Sequence, residues 1–572
     1  MFKKYLHYLL AIIYFFFFTL WITFPLILHF RDSIIGGFGD GAYFVWLIRW
    51  YQQVVLEGQG VPFFNPMMNF PEGWNLSTTD TALAAALPGV PFSAIFGPIA
   101  GFNIAMWITF VLSGLAMYIW VYHYTKSWQP ALLAGTIYAF LPFRIAHFDA
   151  GHLNLSATAW FPFYFLGLYE ILRAGQKFKW GFGLVCALAL GLIGLSSMYY
   201  LYFTVLMTIL FVIGFILFQN RRIFLDIRFW LRTFITALIS APLLYVALKP
   251  FLSLSSQGGL ADRSLDYANR YSASPTDFLT PASSHFLFGK WISSVLDRSF
   301  WIESSLYIGI ITLFLIICAV IWRKKSEYKS LIAIGLLIMF GAFILALGPS
   351  LHWNNQQVII NSSWLGTENA TIPLPTLLLF KYLPFFSKMR AIMRIGFFTL
   401  LFAAFIAGLG TDLLLKRLNN RQIKWIIPLL ICLILFDFYP GSFGGNIQKI
   451  QARPVDHWLA TQPGNGALVQ LPFVKSTDQD QIFYTLTHHK PITAGFFNAN
   501  QPAQFQYLAP ILENFPDQKS VDTLKEYQVE YILIDPLDYP EYGTVEAKMF
   551  DLGLEKRTEQ SGILVYGFAD AP

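Results

Sequence analysis

The stretch YLLAIIYFFFFTLWITFPLIL (residues 8–28) carries no charge and many aromatic residues, and it is followed closely by GGFGDGAYFVW (residues 36–46). A helix needs about 20 mostly apolar residues to cross a bilayer, so the first stretch predicts a membrane span. In the second stretch, Asp40 stands between two glycines just beyond that span. This placement favours a carboxylate held at the bilayer surface, and we predict that Asp40 is the centre of an active site. The simpler alternative is that Asp40-Gly41 is an ordinary turn.

The composition of the whole chain points to the same class of protein. Of its 572 residues, 56% are hydrophobic, 18% are aromatic and 13% are charged, which is typical of a polytopic membrane protein. The formal net charge is +6, and much of the basic excess lies in short loops, which indicates membrane orientation and not nucleic-acid binding. The three cysteines, Cys186, Cys318 and Cys432, lie in apolar runs without metal-ligand spacing.

Hydropathy predicts about eleven transmembrane helices. They fall near residues 8–28, 102–121, 130–146, 154–172, 180–197, 200–218, 231–250, 304–322, 330–348, 391–413 and 424–440. The apolar block 180–218 is too long for one span, so we divide it at Ser196-Ser197.

The loops predict the orientation. If every segment spans, the basic groups near residues 221–232, 323–329 and 416–424 lie on one side, which the positive-inside rule makes the cytoplasm. The N-terminus is then inside and Asp40 is outside the cytoplasmic membrane.

We therefore predict two domains. Residues 1–440 form the transmembrane domain, with its main outer loops at residues 29–101, 252–303 and 349–390. Residues 441–572 form an extracytoplasmic soluble α/β domain, because charge returns there together with strand-like runs at residues 467–471, 530–534 and 563–566.

Three side chains after Asp40 are candidates for substrate binding. Trp46 lies in an aromatic run that suits a helix on the bilayer surface, where it either contacts substrate or serves only as an anchor. Glu72 belongs to the proline-marked turn region 65–73, which is expected to be rigid and to wall the site. Asp80 precedes the next apolar stretch, where it is either a site residue or a helix N-cap.

A second constellation lies at the outer end of the third predicted span. It contains Arg144, His147, Asp149 and His152, which are costly near a membrane unless they pair, bind an ion or do chemistry. Asp40, Asp149 and His152 are ligands of the kind that a divalent cation needs, and such a site would keep an open position for substrate. The spacing matches no specific metal motif, and the alternative is a hydrated loop tied by local hydrogen bonds.

A third constellation lies on the outer side, where a late span begins. It contains Lys388, Arg390 and Arg394, and on a helix the two arginines would be one turn apart. Paired guanidinium groups bind phosphate in forked geometry, so a basic cluster on the outer side predicts a lipid phosphate. The alternative is that these side chains only reach toward lipid headgroups.

The chain resembles the GT-C class of polytopic membrane glycosyltransferases, and more closely the mannosyltransferase-like and YfhO-like membrane proteins of bacteria and archaea. The resemblance is carried in order along the chain by short motifs: Gly39-Asp40-Gly41 with Trp46, Phe70-Pro71-Glu72-Gly73, Phe96-Gly97-Pro98 with Asn103, Ala134-Gly135, Phe140-Leu141-Pro142-Phe143-Arg144, Gly151-His152-Leu153-Asn154, Phe161-Pro162, Arg390 with Arg394, Leu471-Pro472, His488-His489-Lys490-Pro491-Ile492 and Gly495-Phe496-Phe497.

This resemblance implies transfer of a sugar from a polyprenyl-phosphate donor to a glycan, lipid or protein acceptor outside the membrane, with inversion at the anomeric carbon. Asp40 would be the general base or would help to hold a divalent ion such as Mg or Mn. Asp149, His147 and His152 would complete the polar pocket, and Arg390 and Arg394 would hold the donor phosphate. His488 and His489 would contact the acceptor or merely cap a loop.

Many members of the class carry paired acids in the second outer loop, whereas this chain has the single acid Asp149 among histidines. The resemblance therefore does not decide whether the activity depends on a metal ion. Two other functions remain alternatives: a lipid or sugar flippase or transporter, and a non-catalytic scaffold of the cell envelope. Flippases place charged groups in the middle of their spans, whereas nearly all charge in this chain is predicted at the outer rim.

Overall fold

The chain folds as a large helical bundle followed by a small α/β domain. A computed structural model describes residues 2–173, 178–256, 260–297, 299–362, 367–497 and 501–569. Within these ranges, the helices of the bundle region are α1 (Phe2–Ile22), α2 (Asp40–Leu56), α3 (Leu83–Ala86), α4 (Val90–Phe96), α5 (Pro98–Thr125), α6 (Trp128–Ala139), α7 (Pro142–Asp149), α8 (Leu153–Ser156), α9 (Trp160–Arg173), α10 (Trp180–Ser196), α11 (Met198–Phe218), α12 (Ile227–Ser256), α13 (Leu265–Arg270), α14 (Pro275–Leu279), α15 (Gly289–Val295), α16 (Ile310–Trp322), α17 (Lys329–Ala346), α18 (Thr376–Tyr382), α19 (Gly396–Leu415) and α20 (Asn420–Phe438).

The strands of the same region are short and pair locally, except for the first. They are β1 (Ser33–Ile35), β2 (Phe64–Asn65), β3 (Trp74–Asn75), β4 (His352–Trp353), β5 (Gln356–Gln357), β6 (Ile359–Ser362) and β7 (Thr367–Thr371).

The polytopic helical fold predicted from hydropathy is confirmed. Each of the eleven predicted spans falls on a helix or, at residues 130–146 and 154–172, on the pairs α6 with α7 and α8 with α9. Among the described residues, eight segments are long and apolar enough to cross a membrane: Tyr5–Ile22, Pro98–Thr125, Trp128–Asp149, Met198–Phe218, Ile227–Ser256, Lys329–Ala346, Ile392–Leu415 and Asn420–Gly445. The helices α9, α10 and α16 have 14, 17 and 13 residues, which is below the usual spanning length. The block 180–218 is divided as predicted, because α10 ends at Ser196 and α11 begins at Met198.

Helix α19 is the centre of the bundle. Its sequence is apolar on all sides, which predicts burial on all sides, and every residue of α19 except the partly buried Leu414 is buried. Glycines allow neighbouring helices to approach closely: a Cβ atom at Gly410 would lie 2.0 Å from the carbonyl oxygen of Leu315 in α16. Packing around α19 therefore fixes the position of the residues that precede it.

The C-terminal domain contains the α/β elements expected from its strand-like runs. Its helices are α21 (Pro454–Thr461), α22 (Gln479–His488), α23 (Ala503–Leu512), α24 (Gln518–Glu526) and α25 (Tyr542–Asp551), and its strands are β8 (Ile447–Lys449), β9 (Ala467–Leu471), β10 (Val529–Ile534), β11 (Leu554–Gln560) and β12 (Ile563–Phe568). The sheet order is β11-β12-β10-β9, with β9 parallel to β10 and the other pairs antiparallel.

Backbone hydrogen bonds attach this domain to the segment between α1 and α5. Strand β1 pairs antiparallel with β8, and the amide of Phe70 donates to the carbonyl of Ile492 at 3.0 Å. Gly36 has a φ of 81°, and a Cβ atom there would lie 2.2 Å from the carbonyl oxygen of Asp149, so only glycine allows this approach. The first loop, the end of α7 and the C-terminal domain thus meet at one end of the bundle.

Candidate active site

A cavity of about 730 Å³ lies where the bundle meets the C-terminal domain, and we call it the central cavity. Its polar lining includes Asp40, Asp80, His152, Asn154, Glu303, Lys388, Arg390, Arg394 and Gln479. Its apolar lining comes from α11, α12 and the segment before α19, and it includes Met198, Leu248, Phe251, Leu252, Phe385 and Met389. The cavity therefore brings together charged groups from all three predicted constellations and places an apolar surface beside them.

Asp40 is the first residue of α2, after Gly39 with a φ of 117°. Its Oδ2 atom lies 2.9 Å from Nε2 of His152, and its Oδ1 atom accepts a hydrogen bond of 3.3 Å from Nε2 of Gln479. Burial alone would raise the pKa of Asp40, but the hydrogen bonds from His152 and Gln479 and the charges of His152 and Arg394 outweigh it and lower the pKa. The start of α2 also favours a negative charge. Asp40 is thus an oriented carboxylate that is ionised at neutral pH.

A chain of side chains continues from Asp40 into the bundle. Nδ1 of His152 and Nδ1 of His147 lie 2.8 Å apart, so one of these nitrogens donates and the other accepts. Nε2 of His147 lies 4.0 Å from Oε2 of Glu303, and His147 is fully buried. His147 therefore supports His152 from behind and does not line the central cavity.

Glu303 binds Arg394. Nε of Arg394 donates to both carboxylate oxygens of Glu303 at 3.0 Å, and Nη2 donates to Oε1. Burial raises the pKa of Glu303, but the charge and hydrogen bonds of Arg394 lower it further, to about 2. Glu303 is missing from the predicted site. It stands immediately before the predicted span 304–322, and a single acid at that position could have identified it as a site residue.

The two arginines do not form the pair expected from the sequence. Helix α19 begins only at Gly396, so Arg390 and Arg394 do not share a helical face. Arg394 is held by Glu303, whereas the guanidinium of Arg390 lies 5.7 Å from the ring centre of Tyr271. No acidic side chain in the described part of the chain lies within ion-pair distance of Arg390, which makes it available to an anion.

Two further cations stand near Arg390. Nζ of Lys388 donates to the carbonyl of Leu260 at 2.6 Å and lies 3.5 Å from Asp262. Arg263, which the sequence analysis missed, lines the same cavity, and its guanidinium packs over Tyr267 at 5.2 Å. This cationic wall comprises Arg263, Lys388 and Arg390.

Asp80 also lines the central cavity and is not a helix cap. The next helix begins at Leu83, and its N-cap residue is Ala82, without a side-chain cap. Nδ2 of Asn154 donates to Oδ2 of Asp80. Burial raises the pKa of Asp80 to about 6, although Asn154 and Arg394 act in the opposite direction.

Arg144 and Asp149 lie outside the central cavity, contrary to the prediction. The guanidinium of Arg144 is fully buried and donates to the carbonyl oxygens of Ala139 and Ser156 at 2.8 and 3.1 Å, so its role is to tie helices together. The carboxylate of Asp149 accepts a hydrogen bond of 3.0 Å from Asn446, because the end of α7 faces the docked C-terminal domain.

This placement bears on the predicted divalent cation. Asp149 does not reach Asp40 and His152, which bind each other directly. Across the described ranges, no group of three His, Cys, Asp or Glu side chains is arranged to hold a metal ion. The residues present do not fit the metal site predicted at Asp40, Asp149 and His152.

Four other residues predicted for the site also lie away from the cavity: Trp46, Glu72, His488 and His489. Trp46 is buried and parallel to Trp50, with ring centres 6.3 Å apart, because α2 packs into the protein and does not lie free on a bilayer surface. Glu72 is exposed beside the C-terminal domain, where its amide faces Gln504 at 3.4 Å.

His488 and His489 end helix α22. The ring of His488 is buried and its Nδ1 accepts from the amide of Lys490 at 3.1 Å, while burial and nearby positive charges lower its pKa to about 3. His489 is the left-handed C-cap residue, with a φ of 56°. Both residues therefore fit the loop-capping alternative.

The fold is similar to solved glycosyltransferases of the GT-C class. The apo oligosaccharyltransferase of Archaeoglobus fulgidus matches with a TM-score of 0.54 and 13% identity over 96% of this chain and 72% of that chain. The same enzyme in complex with Zn and sulfate matches with a TM-score of 0.51 and 13% identity over 98% and 73%. ArnT from Cupriavidus metallidurans bound to undecaprenyl phosphate matches with a TM-score of 0.50 and 10% identity over 99% and 98%. The predicted GT-C-like fold is thus confirmed.

Comparison of the sequence with known proteins is less specific about function than comparison of the fold. No curated protein matches the chain. The sequence profile of the family described as Domain of unknown function (DUF6311) matches residues 11–439, which is most of the chain and ends where the C-terminal domain begins. The protein therefore belongs to the DUF6311 family.

Proposed function

We propose that this protein transfers a sugar from a polyprenyl-phosphate donor to a hydroxyl-bearing acceptor at the outer face of the cytoplasmic membrane, with inversion. The observation that carries the proposal is the composition of the central cavity. An oriented, ionised Asp40 and a cationic wall with an unpaired Arg390 line the same hollow, and an apolar surface adjoins them. A base, an anion site and a lipid groove are the three parts that such a reaction needs.

In this reaction, Asp40 takes the proton of the acceptor hydroxyl. The acceptor oxygen forms a bond to the anomeric carbon, while the bond between that carbon and the phosphate oxygen breaks. The lipid phosphate leaves with the electron pair of the broken bond and is stabilised by the cationic wall. His152 and Gln479 hold the two oxygens of Asp40 and so aim one lone pair at the acceptor.

The donor phosphate binds Arg390, assisted by Lys388 and Arg263. Arg394 contributes less than the sequence suggested, because Glu303 already neutralises its charge. The prenyl chain lies along the apolar lining formed by α11 and α12, which includes Leu248 and Phe251. ArnT, whose fold is similar, was solved with undecaprenyl phosphate, and this supports a lipid phosphate as the donor class.

The outward orientation is part of the proposal. The basic residues near 221–232, 323–329 and 416–424 lie where α11 meets α12, α16 meets α17 and α19 meets α20, at the end of the bundle opposite the central cavity. By the positive-inside rule, that end faces the cytoplasm and the cavity faces outward.

The test is a transfer assay with the purified protein in liposomes. Undecaprenyl phosphate carrying a radiolabelled hexose or pentose is supplied with glycan, lipid and peptide acceptors, and labelled product is counted. Asp40→Asn should lower the rate by about 10²–10⁴-fold. The matched control is Glu72→Gln, an exposed acid outside the cavity, which should keep the wild-type rate. Equal rates for wild type and Asp40→Asn would refute the assignment of the base.

A further inference from the structure

The carboxylate of Asp80 has no ion-pair partner among the described residues. It lines the central cavity, yet no Lys, Arg or His side chain among the described residues lies within ion-pair distance of it. Asn154 supplies a hydrogen bond to Oδ2, while a carboxylate offers about four acceptor sites. A partly buried acid of this kind is costly to keep unless another group binds it.

The backbone around Asp80 is held in place on both sides. The hydroxyl of Tyr43 donates to the carbonyl of Asp80 at 2.8 Å, and the hydroxyl of Thr79 donates to the carbonyl of Phe496 at 2.6 Å. Ala82 adopts a left-handed conformation with a φ of 40°, which is unfavourable for a residue with a Cβ atom. The surrounding structure thus fixes Asp80 in position despite local strain.

Two neighbouring groups in the same wall also lack partners. Oδ1 of Asn154 and Oγ of Ser77 are buried and have no hydrogen-bond partner in the part of the chain that the structure describes. Both residues line the central cavity next to Asp80. Neither atom is accessible from the cavity, so of these three residues only the half-buried Asp80 presents acceptor atoms to a ligand there.

The chemistry of these groups selects the ligand. The Asp80 carboxylate only accepts hydrogen bonds, and Asn154 donates to one of its two oxygens. The remaining acceptor sites of this carboxylate suit the adjacent hydroxyl groups of a sugar. Asp80 lines the same cavity as Asp40 and Arg390, and it interacts electrostatically with Asp40 and Arg394. A sugar ring with its anomeric carbon near Asp40 and its phosphate at Arg390 would occupy this position.

We propose that Asp80, positioned by Asn154, forms a subsite that binds the free hydroxyl groups of the donor sugar and so selects which sugar is transferred. This inference rests on the proposed function. The sequences Asn75-Leu76-Ser77 and Asn154-Leu155-Ser156, which resemble glycosylation acceptors, then belong to the wall that carries Asp80. The side chain of Asn154 is buried and therefore not available for modification.

The test compares two lipids on the full-length protein in nanodiscs. Affinity is measured for undecaprenyl phosphate and for undecaprenyl phosphate bearing glucose or mannose. Asp80→Ala should weaken binding of the preferred sugar-bearing lipid by about tenfold to a hundredfold, since hydrogen bonds to a charged group are lost. Binding of undecaprenyl phosphate without sugar should stay within about twofold of wild type, because the phosphate and tail contacts remain.

Lipids that carry deoxy sugars test which hydroxyl group Asp80 binds. Removing the recognised hydroxyl should weaken binding to wild type but not to Asp80→Ala, which would show that the two groups contact each other. Ser77→Ala is the matched control: its hydroxyl is closed off from the cavity, so this variant should bind both lipids like wild type. Equal weakening of both lipids by Asp80→Ala, or of neither, would overturn the subsite. If wild type binds neither lipid, the proposed function itself fails.

Discussion

Glu303 and Arg394 form a buried ion pair at the edge of the central cavity, in which Nε of the arginine lies 3.0 Å from both carboxylate oxygens. The exposed fractions of the two side chains are 12% and 10%. Each charge is therefore largely withdrawn from water, and each depends on the other. The pair stands between the histidine chain behind Asp40 and the start of α19, so it joins the site to the central helix of the bundle.

Breaking this pair should destabilise the protein. Glu303→Ala leaves the guanidinium of Arg394 buried without a partner, and we expect a loss of about 3–5 kcal/mol in the free energy of unfolding. Thermal unfolding of the detergent-solubilised protein measures it. The control is Glu559→Ala, which removes an exposed pair with Lys556 and should cost about 0–1 kcal/mol. Joint replacement of Glu303 and Arg394 by Met should restore much of the loss; a double variant as unstable as Glu303→Ala would contradict this account.

Arg390 should behave differently from Arg394. Arg390 is exposed and unpaired within the described chain, so Arg390→Ala should leave thermal stability unchanged but weaken binding of undecaprenyl phosphate by about tenfold. Arg394→Ala should lower stability first, since it leaves Glu303 unpaired. Melting curves and lipid affinities of the two variants, measured side by side, check both expectations. The opposite pattern would indicate that Arg394, and not Arg390, binds the donor phosphate.

Much of this arrangement could be predicted because isolated charges beside long apolar runs are rare. Asp40 lies in the loop after the first predicted span, His152 lies between the third and fourth, and Arg390 and Arg394 lie at the start of the span 391–413. Hydropathy alone therefore places them at one end of the bundle. The multi-span fold followed from the same runs. The roles of these side chains, and the outward orientation of the cavity, stay predictions.

The errors have a common cause, which is that hydropathy does not reveal which way a side chain points. Arg144 looks like a site residue, but backbone carbonyls satisfy its guanidinium inside the bundle. Trp46 looks interfacial, but α2 is covered by α5 and by α22 of the C-terminal domain. Asp149 faces Asn446 only because the C-terminal domain docks there, and a contact between residues so far apart in sequence has no local signal.

Gln479 provides a test of that docking. It lies beyond residues 11–439, which match the family, yet its amide reaches Asp40 at 3.3 Å. Gln479→Ala should lower the turnover number in the transfer assay by about tenfold with little change in KM, because it loosens the base and leaves the substrate contacts intact. Gln518→Ala, an exposed glutamine of the same domain, is the matched control. A rise in KM at constant turnover number would instead assign Gln479 to substrate binding.

The Asp80 carboxyl should leave a signature in the pH dependence of stability. Its pKa is about 6 in the folded protein, above the value of 3.8 expected without burial. Between pH 3.8 and pH 6, the carboxyl is therefore protonated to a greater extent in the folded state than in the unfolded state. The contribution of Asp80 to stability is therefore present at low pH and is lost as pH rises through about 6. Lowering the pH from 7 to 5 should raise the melting temperature of wild type relative to that of Asp80→Asn, which cannot take up the proton. Glu72→Gln, with its exposed side chain, should follow wild type. Parallel curves for wild type and Asp80→Asn would mean that Asp80 is fully ionised in the folded protein, as it would be if a cation lay beside it.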